Sequence, residues 1–221
     1  MKIYFACPTG KRRDEILESY QHKYGACLTR DVFNNVTASK MHYFFDNGAF
    51  SDFRNNQTFD AEKFIEKMYV LESKTRFCRL PMPEFVVVPD IVSRGKESLL
   101  YSRKWVEYLD YILPWYEYYL AVQDGMELDE VEEDLKEKRF QGLFVGGTKG
   151  WKYKTSEHWV QLAHKYGFKC HIGGVGTPKA ITWAKMINAD SVDSGIAMIH
   201  PKYLKDVLEI ENQSLFWSIA D

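Results

Sequence analysis

Short apolar runs that each stop at an acid, an amide or a glycine pair constrain this chain most. YFFDNG reaches Asp46, FVVVPD ends at Asp90, YLAVQDG at Gln123 and Asp124, and GLFVGG at Gly146 and Gly147; KCHIGG and DSVDSG place His171 and Asp193 in the same position. In a parallel α/β protein the strand ends of one polarity all lie on one face, so these groups gather there although they are far apart in sequence. Function is expected on that face.

Between these runs the helix signals recur. IYFACP (3–8) reads as a first strand followed by a helix closed by Gly25, ACLTR (26–30) as a weak second strand, and 31–40 as a polar loop. Phe64, Ile65, Met68 and Leu71 repeat at helical spacing in 61–76, and Trp159, Leu162, Ala163 and Tyr166 do so in 155–166. FVVVPD is apolar on both faces, as a strand covered on both sides must be. Helices are further expected at 96–112, in the charged run ELDEVEEDLKEKR, and after Thr177-Pro178, a capping residue followed by proline. About eight strands separated by helices predict a compact single-domain (β/α)8 TIM-like barrel over 1–221, with an open doubly wound sheet as the rival. A chain of 221 residues, 45% of them hydrophobic, is enough for one such core.

A formal net charge of −2 supplies no global attraction to nucleic acid, so any such partner must meet a local patch. KGWKYK is the better candidate: Lys149, Lys152 and Lys154 to reach phosphates, with Trp151 and Tyr153 to stack on bases. A solvated segment with its rings packed underneath is the alternative. The four cysteines are scattered and no signal peptide opens the chain, which fits a reducing, cytoplasmic setting with free thiols. No apolar stretch approaches the ~20 residues of a membrane span. Neither a metal nor a cofactor is expected, since no close ligand pair stands in the sequence and His171 lacks an H-x-H partner.

Asp46, Asp90 and Asp193 at strand ends can divide the work of acid and nucleophile, as glycosyl transfer requires, although a strand-end acid can equally cap the next helix. Gln123 offers a donor and an acceptor side by side. Gly146 and Gly147 leave backbone open to a flat ligand, or simply make a tight turn. HIGGVGT, ahead of the helix capped by Thr177, could hold a phosphate.

Taken in order, DNGAF, VVPD, AVQDG, FVGGTKGWK, HIGGVGT and ADSVDSG resemble the active-site segments of the tRNA-guanine transglycosylase superfamily, most closely its 7-deazaguanine DNA transglycosylases from phages and bacterial modification islands. The resemblance implies exchange of guanine in DNA for a 7-deazaguanine base through a covalent aspartyl-glycosyl intermediate. Asp193 is then similar to the nucleophile and Asp46 to the general acid/base. Asp90, Gln123, Gly146, Gly147 and His171 line the base, and Lys149, Trp151, Lys152 and Lys154 meet the nucleic acid. DNA fits better than tRNA because the zinc cysteines of the tRNA enzymes are missing after Asp193. A homodimer or a helper protein would suit so short a chain. The alternatives are a tRNA-directed enzyme, a nucleobase hydrolase, a metal-dependent hydrolase and a nucleic-acid-binding accessory subunit.

Overall fold

The structure is a computed structural model that describes residues 1–20, 23–200 and 202–209. The end of the expected first helix at residues 21 and 22, and the tail 210–221 of the expected domain, lie outside it. Eight parallel strands close into a barrel in sequence order: β1 (Lys2–Ala6), β2 (Tyr24–Thr29), β3 (His42–Asp46), β4 (Val86–Val87), β5 (Tyr118–Val122), β6 (Gly142–Val145), β7 (Lys169–Ile172) and β8 (Ser191–Ser194), which returns to β1. The helices between them are α1 (Gly10–Tyr20), α2 (Asn35–Lys40), α3 (Ala49–Arg54), α4 (Ala61–Phe77), α5 (Gly95–Ile112), α6 (Leu128–Lys136), α7 (Lys149–Lys165), α8 (Pro178–Met186) and α9 (Ile196–Ile199), with 202–209 also helical. The single (β/α)8 barrel stands and the open-sheet rival falls.

Two apolar layers hold it together. Outward residues such as Tyr43, Phe45, Val86 and Leu143 pack under the helices, while Tyr4, Cys27, Phe44, Phe85, Val87, Tyr119 and Ala121 fill the barrel interior. The interior is a stack of rings: Phe85 lies between Phe44 (4.7 Å, 8° between planes) and Tyr119 (4.0 Å, 10°). Rings this large fit because their neighbours are small. A Cβ on Gly25 would stand 2.5 Å from the Tyr4 ring, and one on Gly142 would run into the Tyr119 ring. The glycines at these strand positions are therefore space for aromatics, and alanine at either would overpack the barrel.

Local chemistry explains where the expected elements shift. Residues 31–40 are not all loop, because the Asn34 side chain accepts the Thr37 N–H at 3.0 Å and starts α2. The ladder of β4 is short where FVVVPD promised more; Pro83 and Pro89 flank it and neither has an N–H to give. The basic-aromatic segment at 149–154 is not a loop but the first turns of α7, which turns its side chains in different directions.

Candidate functional site

At the strand-end mouth a cavity of about 600 Å³ is lined from six of the eight βα junctions. Asp46 at the end of β3 and Asp193 in β8 both border it, as do Asp90, Gln123, Gly146, Gly147, Lys149 and Lys152. Phe50 on α3 stands at its rim, 60% exposed, and Phe144 closes the inner side. Of the residues singled out from sequence, His171 is wholly buried below the cavity, Lys154 is exposed on α7, and the half-buried Trp151 packs against the core and Trp159 (6.1 Å). The rings of this segment are thus partly spent on packing, as the alternative reading of KGWKYK has it.

The acids sit in different surroundings. Asp46 Oδ1 accepts the Gly48 N–H at 2.7 Å. Burial nonetheless pushes its carboxyl up to about 7, against the lowering effect of that bond and with a further push from the negative charges of Asp193 and Asp90. A carboxyl poised there can both give and take a proton near neutrality. Asp90 is raised by burial to about 6, while hydrogen bonds from Asn47 and Gln123 pull it back. Asn47 Nδ2 donates to its Oδ1 at 2.8 Å and Gln123 Nε2 to its Oδ2 at 2.6 Å. Gln123 Oε1 in turn accepts the Ser93 N–H at 3.2 Å, so this floor is a fixed network.

The glycine pair after β6 follows from the same network. A Cβ on Gly146 would stand 2.6 Å from Gln123 Nε2, and Gly147, at φ +74°, would carry its Cβ 2.8 Å from the Trp151 ring. Room for the amide and a left-handed turn require these glycines, whether or not a ligand touches their backbone.

A lysine borders the same cavity. Lys152, one turn into α7, reaches inward and donates to the carbonyl of Gly173; the next residue's N–H, Gly174, donates to Asp193 Oδ1 at 2.8 Å. Burial lowers the Lys152 amine below its usual range, offset in part by the charges of Asp193 and Asp124. Sequence reasoning named Lys152, yet as a phosphate contact, because nothing in the one-dimensional string tells which way α7 is rotated. It passed over Asn47, whose place directly after Asp46 was the available signal, and Phe50, for which there was none.

Among the described residues no group of three or more His, Cys, Asp or Glu could hold a metal ion. A second, shallower depression of about 970 Å³ lies outside the mouth around Arg30, Asp52 and Lys63. Arg30 is anchored there to Asp52 and to the Asp60 carbonyl (3.0 Å), so its guanidinium ties α3 to the start of α4. No described helix is long and apolar enough to cross a membrane.

No family model matches the chain and no curated protein matches it. Solved structures do. A citrate lyase from Burkholderia xenovorans LB400 is similar at 10% identity with a TM-score of 0.52, over 94% of this chain and 76% of that one. A dihydrodipicolinate synthase from Oceanobacillus iheyensis (11%, TM-score 0.47, 99% and 76%) and an HpcH/HpaI aldolase from Desulfitobacterium hafniense DCB-2 (10%, 0.46, 95% and 92%) also align. At such identities the first likeness shows the barrel fold and nothing finer.

These findings correct the resemblance drawn from the motifs. No family model supports membership of the tRNA-guanine transglycosylase superfamily, and the solved barrel similar at a TM-score of 0.52 is a citrate lyase rather than a transglycosylase. Guanine exchange is withdrawn with it, and its hydrolytic and tRNA-directed variants and the accessory-subunit reading are no better supported. The physical reason is that a parallel barrel gathers polar strand-end residues at one mouth whatever its chemistry, so short motifs such as DNG, VGG and DSG at those ends do not by themselves specify a reaction.

Proposed function

We propose that the protein is a lyase of the aldol type, making or breaking a carbon–carbon bond beside the carbonyl of a small, uncharged, hydroxyl-rich compound. The observation that carries this is a desolvated lysine amine that shares one cavity with a carboxyl held near 7. Barrels of this shape can house lyase chemistry, as the similar citrate lyase does; the residues decide the rest.

A lysine lowered by desolvation spends more time as the neutral amine, which is the nucleophilic form. Its nitrogen adds to the substrate carbonyl carbon, the carbonyl oxygen leaves as water, and the resulting iminium draws electrons from the neighbouring bond. In the cleavage direction Asp46 takes the proton from the substrate's β-hydroxyl as the carbon–carbon bond breaks; the electron pair passes into the enamine and one carbonyl product departs. Protonation of the enamine and addition of water release the second product and restore the amine. Asp193, held by the Gly174 N–H next to the carbonyl that Lys152 binds, supplies the carboxylate that exchanges protons with the amine across the cavity. Asp90, Asn47 and Gln123 can accept from and donate to hydroxyl groups at the floor.

Charge sets the substrate class. Asp90, Asp193 and the half-titrated Asp46 line the cavity against Lys149 and Lys152, and burial works against the charge on Lys152. A tricarboxylate would meet repulsion there, whereas an uncharged polyol-like carbonyl would meet acceptors. The test is a product screen by NMR with uncharged hydroxycarbonyls alongside citrate, on the wild-type protein and Lys152→Met. Cleavage of an uncharged compound, reduced at least about 100-fold by the substitution, is expected. Equal rates in the variant, or turnover of citrate alone, would overturn the reading.

A further inference from the structure

His171 was expected to touch the ligand; its geometry assigns it another task. It lies in β7 opposite Ser191 of β8, fully buried, with its ring stacked on Phe144 (4.8 Å, 14°) and edged by Phe44 (4.9 Å) and Phe85 (5.6 Å). Both ring nitrogens are occupied. Nδ1 is 2.9 Å from Ser191 Oγ and Nε2 is 3.1 Å from Asp193 Oδ1.

The tautomer follows from the third contact. Asp193 Oδ1 already accepts the Gly174 N–H at 2.8 Å, so it is an acceptor oxygen, and the ring nitrogen facing it must bring the hydrogen. Nε2 is therefore N–H, Nδ1 is the bare nitrogen, and the Ser191 hydroxyl donates to it. Two donors thus fix Oδ1 of Asp193, an acid that borders the same cavity as Lys152. We infer that His171 is a positioning residue, a clamp set in one tautomer by Ser191, which holds the Asp193 carboxylate in place at the cavity without lining it itself. Resting on the proposed reaction, this assigns the histidine and serine their part in it. Burial favours the uncharged ring, and the groups that act on it electrostatically are Asp193, which opposes that effect, and Lys152, which adds to it.

The tautomer can be read without any substrate. In the full chain labelled with ¹⁵N-histidine, long-range nitrogen–proton correlation should show His171 neutral and protonated on Nε2 between neutral pH and pH 8. An Nδ1–H ring or an imidazolium in that range would overturn the clamp whatever the protein catalyses. Ser191→Ala should let both tautomers appear and lower kcat about tenfold, one hydrogen bond's worth, with KM unchanged; Ser191→Thr should restore both. If the spectra are as expected but kcat and its pH profile do not move in Ser191→Ala, the positioning role is refuted. Expected spectra in a protein that cleaves no carbonyl compound would refute the lyase reading and leave the clamp in place.

Discussion

Replacing Asp46 with asparagine isolates the cost of holding an acid at the barrel mouth. The amide oxygen can still accept the Gly48 N–H, so the change removes charge rather than shape. In the unfolded chain the carboxyl releases its proton near 3.8; in the fold it keeps it to about 7. Between those values the native state binds more protons than the unfolded one, so stability falls as pH rises through the window, and the full penalty stands above about 7. At about 1.4 kcal/mol for each factor of ten the ceiling is about 4 kcal/mol. Because part of the side chain faces the open cavity, water screens it, and about half of that, ~2 kcal/mol, is the expected size. Asp90, raised to about 6 in the same site, is present in both proteins and largely cancels in the difference. Urea titrations at pH 4 and pH 8, compared at equal m-values, measure the gap between Asp46→Asn and wild type. The variant should gain on the wild type by ~2 kcal/mol on going from pH 4 to pH 8. A gap that stays constant, or widens toward acid, would refute the claim that burial holds this acid up.

Three further outcomes follow from the packing and the site. Gly142→Ala should cost about 1–3 kcal/mol in denaturant titration, because its methyl would enter the Tyr119 ring; a neutral result would mean that the ring stack is loose. Asp134, which is 1% exposed and accepts from Arg103 (2.9 Å) and Arg139 (2.9 Å), should cost about 3–5 kcal/mol when changed to alanine, since two cations lose their partner. Phe50→Ala, at the exposed rim, should raise KM while leaving the melting temperature within a degree or two of wild type, about the effect of a surface substitution; an equal loss of kcat at unchanged KM would place the ring in the reacting region instead.

Much of the barrel was legible because its signals are local. Asp46, Asp90, Gln123 and Asp193 could be placed on one face from strand ends alone, and all four do border one cavity. The helices of 61–77 and 95–112 follow from apolar spacing and from stops the chain writes plainly. Contacts set by rotation about an axis were not legible. Lys152 and Lys154 are two residues apart on α7, yet one points into the cavity and the other into solvent, a difference fixed by how the helix docks. Ser191 looked like an ordinary strand residue until the β7–β8 register set it against His171. Gly25, read as a helix stop, lies inside β2, and Gly146 could be read as a turn or a ligand approach; the rings and the amide that fill the space at Gly25, Gly142 and Gly146 come from other strands. The family resemblance misled for the opposite reason: its motifs were local features that do not by themselves specify a reaction.

Reductive trapping tests the central claim, that Lys152 condenses with an uncharged carbonyl in the cavity shared by Asp46 and Asp193. Incubation with dihydroxyacetone and cyanoborohydride, followed by peptide mass spectrometry, should give a stable adduct on Lys152 at pH 7, absent from Lys152→Met and suppressed by any compound the protein cleaves. An adduct spread evenly over the surface lysines, with Lys152 left unmodified, would contradict it.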